Sequence, residues 1–145
     1  MSTMLDLIQS AQRGEIPPPP IAQLIGFSLS AIEPGRAMID FTAEARHANP
    51  MGTLHGGVLC DIADAAMGMA WASTLGEGET FTTLELKINF LRPVWTGKLT
   101  ATGRVVQGGR TVGLLECDVV DDQGRLVARA SSTVMTLRGA QAAGR

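Results

Sequence analysis

The sequence predicts an α+β fold in which a curved antiparallel sheet wraps round one long central helix. Two observations carry this expectation. Residues 56–75 form an apolar run of helical length whose only charged members are Asp61 and Asp64. A helix apolar on nearly all sides must be covered on nearly all sides. Around it stand strand patterns, two before and three or more after, separated by turn signals. A sheet curled round the helix supplies most of the cover, and a second copy of the chain supplies the rest.

Each element follows from local chemistry. Leu5, Leu7, Ile8 and Ala11 fit a short first helix ending near Gly14. Residues 17–20 are all proline, a rigid stop whose last member is suited to open a second short helix over 21–25. Residues 27–32 and 37–43 flank Pro34-Gly35 and read as a hairpin. A loop rich in turn formers (Asn49, Pro50, Gly52) leads into the long helix, with Gly76 as its expected C-cap. Beyond it, Leu84, Leu86, Ile88 and Phe90 alternate with Thr83, Glu85, Lys87 and Asn89. Strict alternation places Thr83 on the face opposite Leu84 and Leu86. Residues 99–106, 111–120 and 125–137 supply the remaining strands, the last two joined through Asp121-Asp122-Gln123-Gly124. The chain divides into a helical, proline-rich N-terminal segment (1–19), one domain (20–138) and a frayed tail (139–145).

Bulk properties narrow the function. The chain of 145 residues suits a single domain with a full core. A net charge of −2 offers no surface for nucleic acid. Cys60 and Cys117 lie in apolar runs without disulfide or metal spacing, which suits a reducing cytoplasm. Buried thiols are mostly packing residues, so Cys60 is a weak candidate for a nucleophile. The two histidines are too few for a multi-histidine metal site. The acids and alanines of 57–75 argue against a membrane span, and the amphipathic start does not read as a signal peptide.

Chemistry concentrates where the long helix begins, at His55-Gly56-Gly57. An uncompensated carboxylate on a buried helix costs on the order of several kcal/mol. With no obvious cation near them in sequence, Asp61 and Asp64 are candidates for a reacting group. Read alone, the two glycines fit a tight loop-to-helix turn equally well.

Three segments together resemble the hot-dog acyl-CoA thioesterases of the phenylacetate-degradation type. They are Asn49-Pro50-Met51-Gly52-Thr53-Leu54-His55-Gly56-Gly57, Ile62-Ala63-Asp64, and Thr83-Leu84-Glu85-Leu86-Lys87-Ile88-Asn89-Phe90-Leu91-Arg92-Pro93. The resemblance covers residues 20–138 and implies the hot-dog fold and hydrolysis of an acyl-CoA to a carboxylic acid and free CoA. It selects Asp64, nine residues after His55, over Asp61 as general base or nucleophile. It makes the Gly56 N–H an oxyanion donor, a role suited to the unpaired amides of a helix start. It has Asn49 help hold the attacking water, and His55 fix the loop or place the carbonyl. It gives the Thr83 hydroxyl a substrate contact, reached through a bend in the strand or from a partner subunit. It lays CoA along Phe90, Leu91, Arg92 and Pro93 and along the turn Gly109, Arg110 and Thr111. Arg92 and Arg110 are the phosphate partners there. No metal or redox cofactor is implied, and CoA enters as part of the substrate.

One deduction concerns assembly. Gly56 and Asp64 are eight residues apart, about 12 Å along a helix. An oxyanion donor and an attacking group must both lie about 3 Å from one carbonyl. Two chains with antiparallel central helices meet that condition where one does not. The expectation is an obligate homodimer with two sites across its interface, with dimers pairing further into a homotetramer. Two other readings stand beside hydrolysis. A hot-dog hydratase or dehydratase pairs histidine and acid in a different motif. A non-catalytic acyl-CoA sensor commonly carries an added DNA-binding unit. The acyl group remains open between aryl and medium-chain aliphatic, with Met51, Met67 and Met69 as candidate pocket residues or core.

Overall fold

A computed structural model describes residues 3–145; Met1 and Ser2, at the head of the expected N-terminal segment, lie outside the described residues. Helix α1 (Met4–Gln12) opens on a capping box in which Thr3 and Asp6 satisfy each other's backbone N–H. It rests on strand β1 (Phe27–Glu33), where Gln12 Nε2 donates to the Ser30 carbonyl at 3.1 Å. Helix α2 (Pro20–Ile25) starts on its proline and stops at Gly26, whose φ of 94° suits glycine. Strand β2 (Arg36–Ala43) completes the first hairpin, and α3 (Gly56–Ala72) is the central helix. Four long strands follow: β3 (Thr80–Phe90), β4 (Gly97–Gly108), β5 (Val112–Asp121) and β6 (Leu126–Leu137).

All six strands form one antiparallel sheet in the order β1-β2-β4-β5-β6-β3. Helix α3 touches every one of them, so the sheet curls round it as the sequence predicts. Small residues make the close approach possible. A Cβ added at Gly103 of β4 would stand 2.5 Å from the backbone of Ala66 in α3. Trp71 lies over Gly113 of β5 in the same way, and its indole N–H donates to Thr136 Oγ1 at 3.1 Å. Ile39, Phe41, Leu99, Leu115, Val119, Val127 and Val134 fill the core from the sheet side.

Two expectations, the end of the helix and the facing of Thr83, need correction. The helix ends at Ala72 with Ser73 as its C-cap, not at Gly76. The Ser73 hydroxyl takes up the Ala70 carbonyl and accepts from Gly35 N–H, so the helix is capped before the glycine is reached. Gly139–Ala142 forms a short 3-10 turn with no buried residue. Strand β3 carries a bulge: Thr83 pairs with Val134 and Glu85 with Thr133, leaving Leu84 as the extra residue. The bulge resets the alternation, so Thr83 shares the inner face with Leu86 and Ile88 while Leu84 is exposed. As expected, α3 is not covered all round by its own sheet. Gly57 and Asp64 are exposed, and Cys60 and Asp61 between them are half-buried.

Candidate active site

The start of α3 is set by His55. Its Nδ1 accepts from the Gly57 N–H at 2.9 Å, which makes His55 the N-cap and takes up one of the orphan amides. In the neutral ring the proton therefore sits on Nε2. The Val58 N–H bonds back to the His55 carbonyl, and the His55 N–H donates to the His47 carbonyl. No partner for the Gly56 N–H is found among the described residues. Gly56 is glycine for a reason the sequence does not show. The Phe90 ring lies on its Cα, and an added Cβ would stand 2.8 Å from Cζ. The side-chain position at this glycine is thus filled by the Phe90 ring.

Two turns along the helix, Asp64 meets Thr83. The Thr83 hydroxyl donates to Asp64 Oδ1 at 3.0 Å, and the β3 bulge is what points it inward. The strand bend anticipated from the sequence is therefore present. Asp64 is exposed, contrary to the buried acid expected, because it lies on the face of α3 that the sheet leaves open. Asp61, one turn earlier, is half-buried, and its carboxyl is pushed above the usual aspartate range, chiefly by burial and then by the charge of Asp64. The same burial, with Asp61 and Asp64 adding to it, raises the Cys60 thiol, which suppresses the thiolate a nucleophile needs. Cys117 is buried and pushed up to about 12.

Asn49 is committed within its own loop. Its Oδ1 accepts from Met51 N–H and Thr53 N–H, and its Nδ2 donates to Thr53 Oγ1. The structure makes no bond between Asn49 and Asp64 in one chain. The methionines separate: Met67 is core and accepts from Ser132 Oγ, Met69 is half-buried, and Met51 stands exposed at the loop tip.

The expected CoA contacts also separate. Phe90 and Leu91 are exposed apolar residues at the end of β3. Arg92 and Pro93 border an open groove of about 480 Å³ that continues past Trp95 and Lys98 to Arg125. Gly109, Arg110 and Thr111 form the exposed β4–β5 turn. This turn adjoins the opposite end of β6, since the Thr136 N–H donates to the Thr111 carbonyl while the Leu91 N–H donates to Val127. Arg92 and Arg110 of one chain therefore lie at opposite ends of the β3–β6 pair.

Sequence reasoning missed His47. It is buried, stacks edge-on against Phe41 at 4.8 Å, accepts from Glu44 N–H at Nδ1, and contacts the Ile25 carbonyl through Nε2 at 2.8 Å. It ties α2, β2 and the loop before α3 together. A histidine in a turn-rich stretch gives no pattern that distinguishes this role from an exposed one. Among the described residues no three His, Cys, Asp or Glu side chains gather as a metal site.

The thioesterase superfamily model matches residues 51–128, which takes in the helix start, Asp64, Thr83 and both expected CoA segments. The chain belongs to the thioesterase superfamily. It is 32% identical over 108 residues to the acyl-coenzyme A thioesterase PaaI of Escherichia coli, covering 74% of this chain and 75% of that one. It is 25% identical over 114 residues to the 1,4-dihydroxy-2-naphthoyl-CoA hydrolase of Listeria monocytogenes, covering 79% and 93%. The solved structure of E. coli PaaI superposes with a TM-score of 0.82 at 26% identity, over 94% of this chain and 95% of that one. The architecture is the hot-dog fold. The matched segment contains the Asp64–Thr83 hydrogen bond and the start of α3 capped by His55.

Proposed function

We propose that this thioesterase hydrolyses acyl-CoA thioesters to a carboxylic acid and free CoA. The observation that carries the reading is the exposed Asp64 carboxylate, fixed at Oδ1 by the Thr83 hydroxyl. With one oxygen held, the other is left to take a proton from water or to attack the carbonyl carbon. In the first route hydroxide adds and the C–S bond breaks. The thiolate leaves with CoA and is protonated. In the second, Asp64 forms a mixed anhydride that water then opens. The Gly56 N–H stabilises the oxyanion in both. Neither route calls on a metal or redox cofactor.

The site is completed by a second copy. Strand β3 is an edge of the sheet, and the open face of α3 lies beside it through the Thr83–Asp64 bond. An edge of this kind is a template for pairing with another chain. Antiparallel β3–β3 pairing would extend the sheet and set the two α3 helices antiparallel, with Asp64 of one towards Gly56 of the other. The same pairing moves the Arg110 turn of one subunit towards the Arg92 segment of its partner, which reconciles their separation within one chain. Asn49 spends Oδ1 and one Nδ2–H inside its own loop, which leaves its second Nδ2–H to donate to the attacking water and makes it the weakest member of the set. Dimers pairing through sheet faces would give the tetramer. The named substrate of the Listeria hydrolase, an aryl-CoA, favours an aryl acyl group over a medium chain.

The test is thiol release from a panel of aryl- and alkyl-CoA thioesters, wild type beside Asp64→Asn, with dimerisation followed by sedimentation. Turnover that collapses in the variant while the dimer persists supports the reading. Binding without thiol release would point instead to a sensor.

A further inference from the structure

We infer that Arg138 is a positioning residue for CoA: through the carbonyl of Arg110 it fixes the β4–β5 turn that would face the substrate's phosphates. The inference rests on the acyl-CoA reading and names a residue that reading leaves out. Gly108 and Gly109 lead into this turn and have no side chains to pack. Beyond the β4–β5 ladder, the Gly109 N–H donates to the Val112 carbonyl and the Thr136 N–H of β6 to the Thr111 carbonyl. The Arg110 peptide itself is held by Arg138, whose Nη2 donates to the Arg110 carbonyl. The Nε of the same guanidinium donates to Glu79 Oε2. Glu79 is fixed in turn, since its Oε1 accepts from Gly76 N–H at 2.7 Å. The Gly76 N–H, Arg138 and the nearby Arg110 charge together hold the Glu79 carboxyl below the usual glutamate range. A relay therefore runs from the loop after α3, through Glu79 and Arg138, to the main chain of Arg110.

The chemistry of the relay is specific. One planar guanidinium bridges two acceptors along a fixed fork, which a lysine ammonium on a flexible stem does not reproduce. Arg138 is more than a third exposed, and exposed ion pairs add little to stability. What the pair does add is orientation of an otherwise glycine-lined turn whose side chain is a cation. Glu79 also feels the Arg110 charge, the smallest of the influences that lower its carboxyl.

The test compares one acyl group carried on CoA and on pantetheine, which lacks the phosphates, across wild type, Arg110→Ala, Arg138→Gln, Arg138→Lys and Glu79→Gln. The expected result is a KM for the CoA thioester raised roughly tenfold in all four variants, the loss of one charge-assisted contact. The kcat should stay within twofold, and KM for the pantetheine thioester should be unchanged. Arg110→Ala with Arg138→Gln should be no worse than Arg110→Ala alone. Equal losses on both thioesters, or an Arg138→Lys enzyme that behaves as wild type, would overturn the inference and leave the thioesterase reading intact. Wild type that cleaves neither thioester would overturn both.

Discussion

The two faces of α3 follow different rules. The face against β4 and β5 is set by space: Ala63, Ala66, Ala70 and Trp71 are buried, and Gly103 and Gly113 are the hollows into which the helix settles. The other face carries Gly57, Cys60, Asp61 and Asp64, and packing within one chain accounts for none of its acids. The contrast separates what the helix needs to fold from what it needs to react. Substitutions on the first face should cost stability and leave the chemistry of surviving molecules alone. Substitution of Asp64 on the second should do the reverse.

The sharpest break is Asp64→Asn. It keeps the shape and can still accept from Thr83, but it neither takes a proton nor forms an anhydride. We expect kcat for thiol release to fall by about 10³-fold, within the range for removing a general base, with the thermal midpoint unchanged or raised. A loss of fold in this variant would assign Asp64 to structure. The counterpart on the packed face is Gly103→Ala. The new Cβ meets Ala66 backbone at 2.5 Å, and backbone cannot give way as a flexible side chain can. Overpacking of this kind costs about 1–3 kcal/mol, read as a lower denaturation midpoint with kcat per folded molecule preserved.

Thr83→Val probes the junction of the two faces. Valine keeps the volume and the strand preference but removes the hydroxyl that fixes Asp64 Oδ1. Losing a hydrogen bond to a charged group should lower kcat by about tenfold with little change in KM. An equally active Thr83→Val enzyme would show that Asp64 is held by substrate or partner instead.

How much of this was legible in the sequence depends on which face is asked about. The apolar run of α3 and the hairpin signals define the fold because burial is written in composition. The hot-dog resemblance rests on His55-Gly56-Gly57, Asp64 and Phe90-Leu91-Arg92-Pro93, short segments that the structure brings to one helix and its flanking strand. What escaped depends on one-residue offsets and long-range contacts. The bulge at Leu84 inverts the facing of Thr83, yet no glycine or proline marks it. Phe90 pressing on Gly56 joins residues far apart in the chain. The half-exposure of Asp61 and the exposure of Asp64 belong to the face of α3 that its own sheet leaves open; in the sequence the two acids read as buried because the residues around them are apolar.

The smallest effect concerns Asp61, which shares the open face of α3 and has no side-chain hydrogen bond among the described residues. Burial and the neighbouring Asp64 raise its carboxyl above the ordinary 3.8. The folded state therefore binds this proton more tightly than the unfolded chain. Its contribution favours the fold at pH below the unfolded value and is lost as pH rises through the higher folded one. Asp61→Asn removes the titration. Denaturation of the variant should show a gain in midpoint over wild type at pH 7 that shrinks towards pH 4, while kcat changes far less than in Asp64→Asn. A variant less stable than wild type at pH 7 would mean that the Asp61 carboxylate has a partner in the assembled protein, and the open face of α3 would then be held by charge as well as by shape.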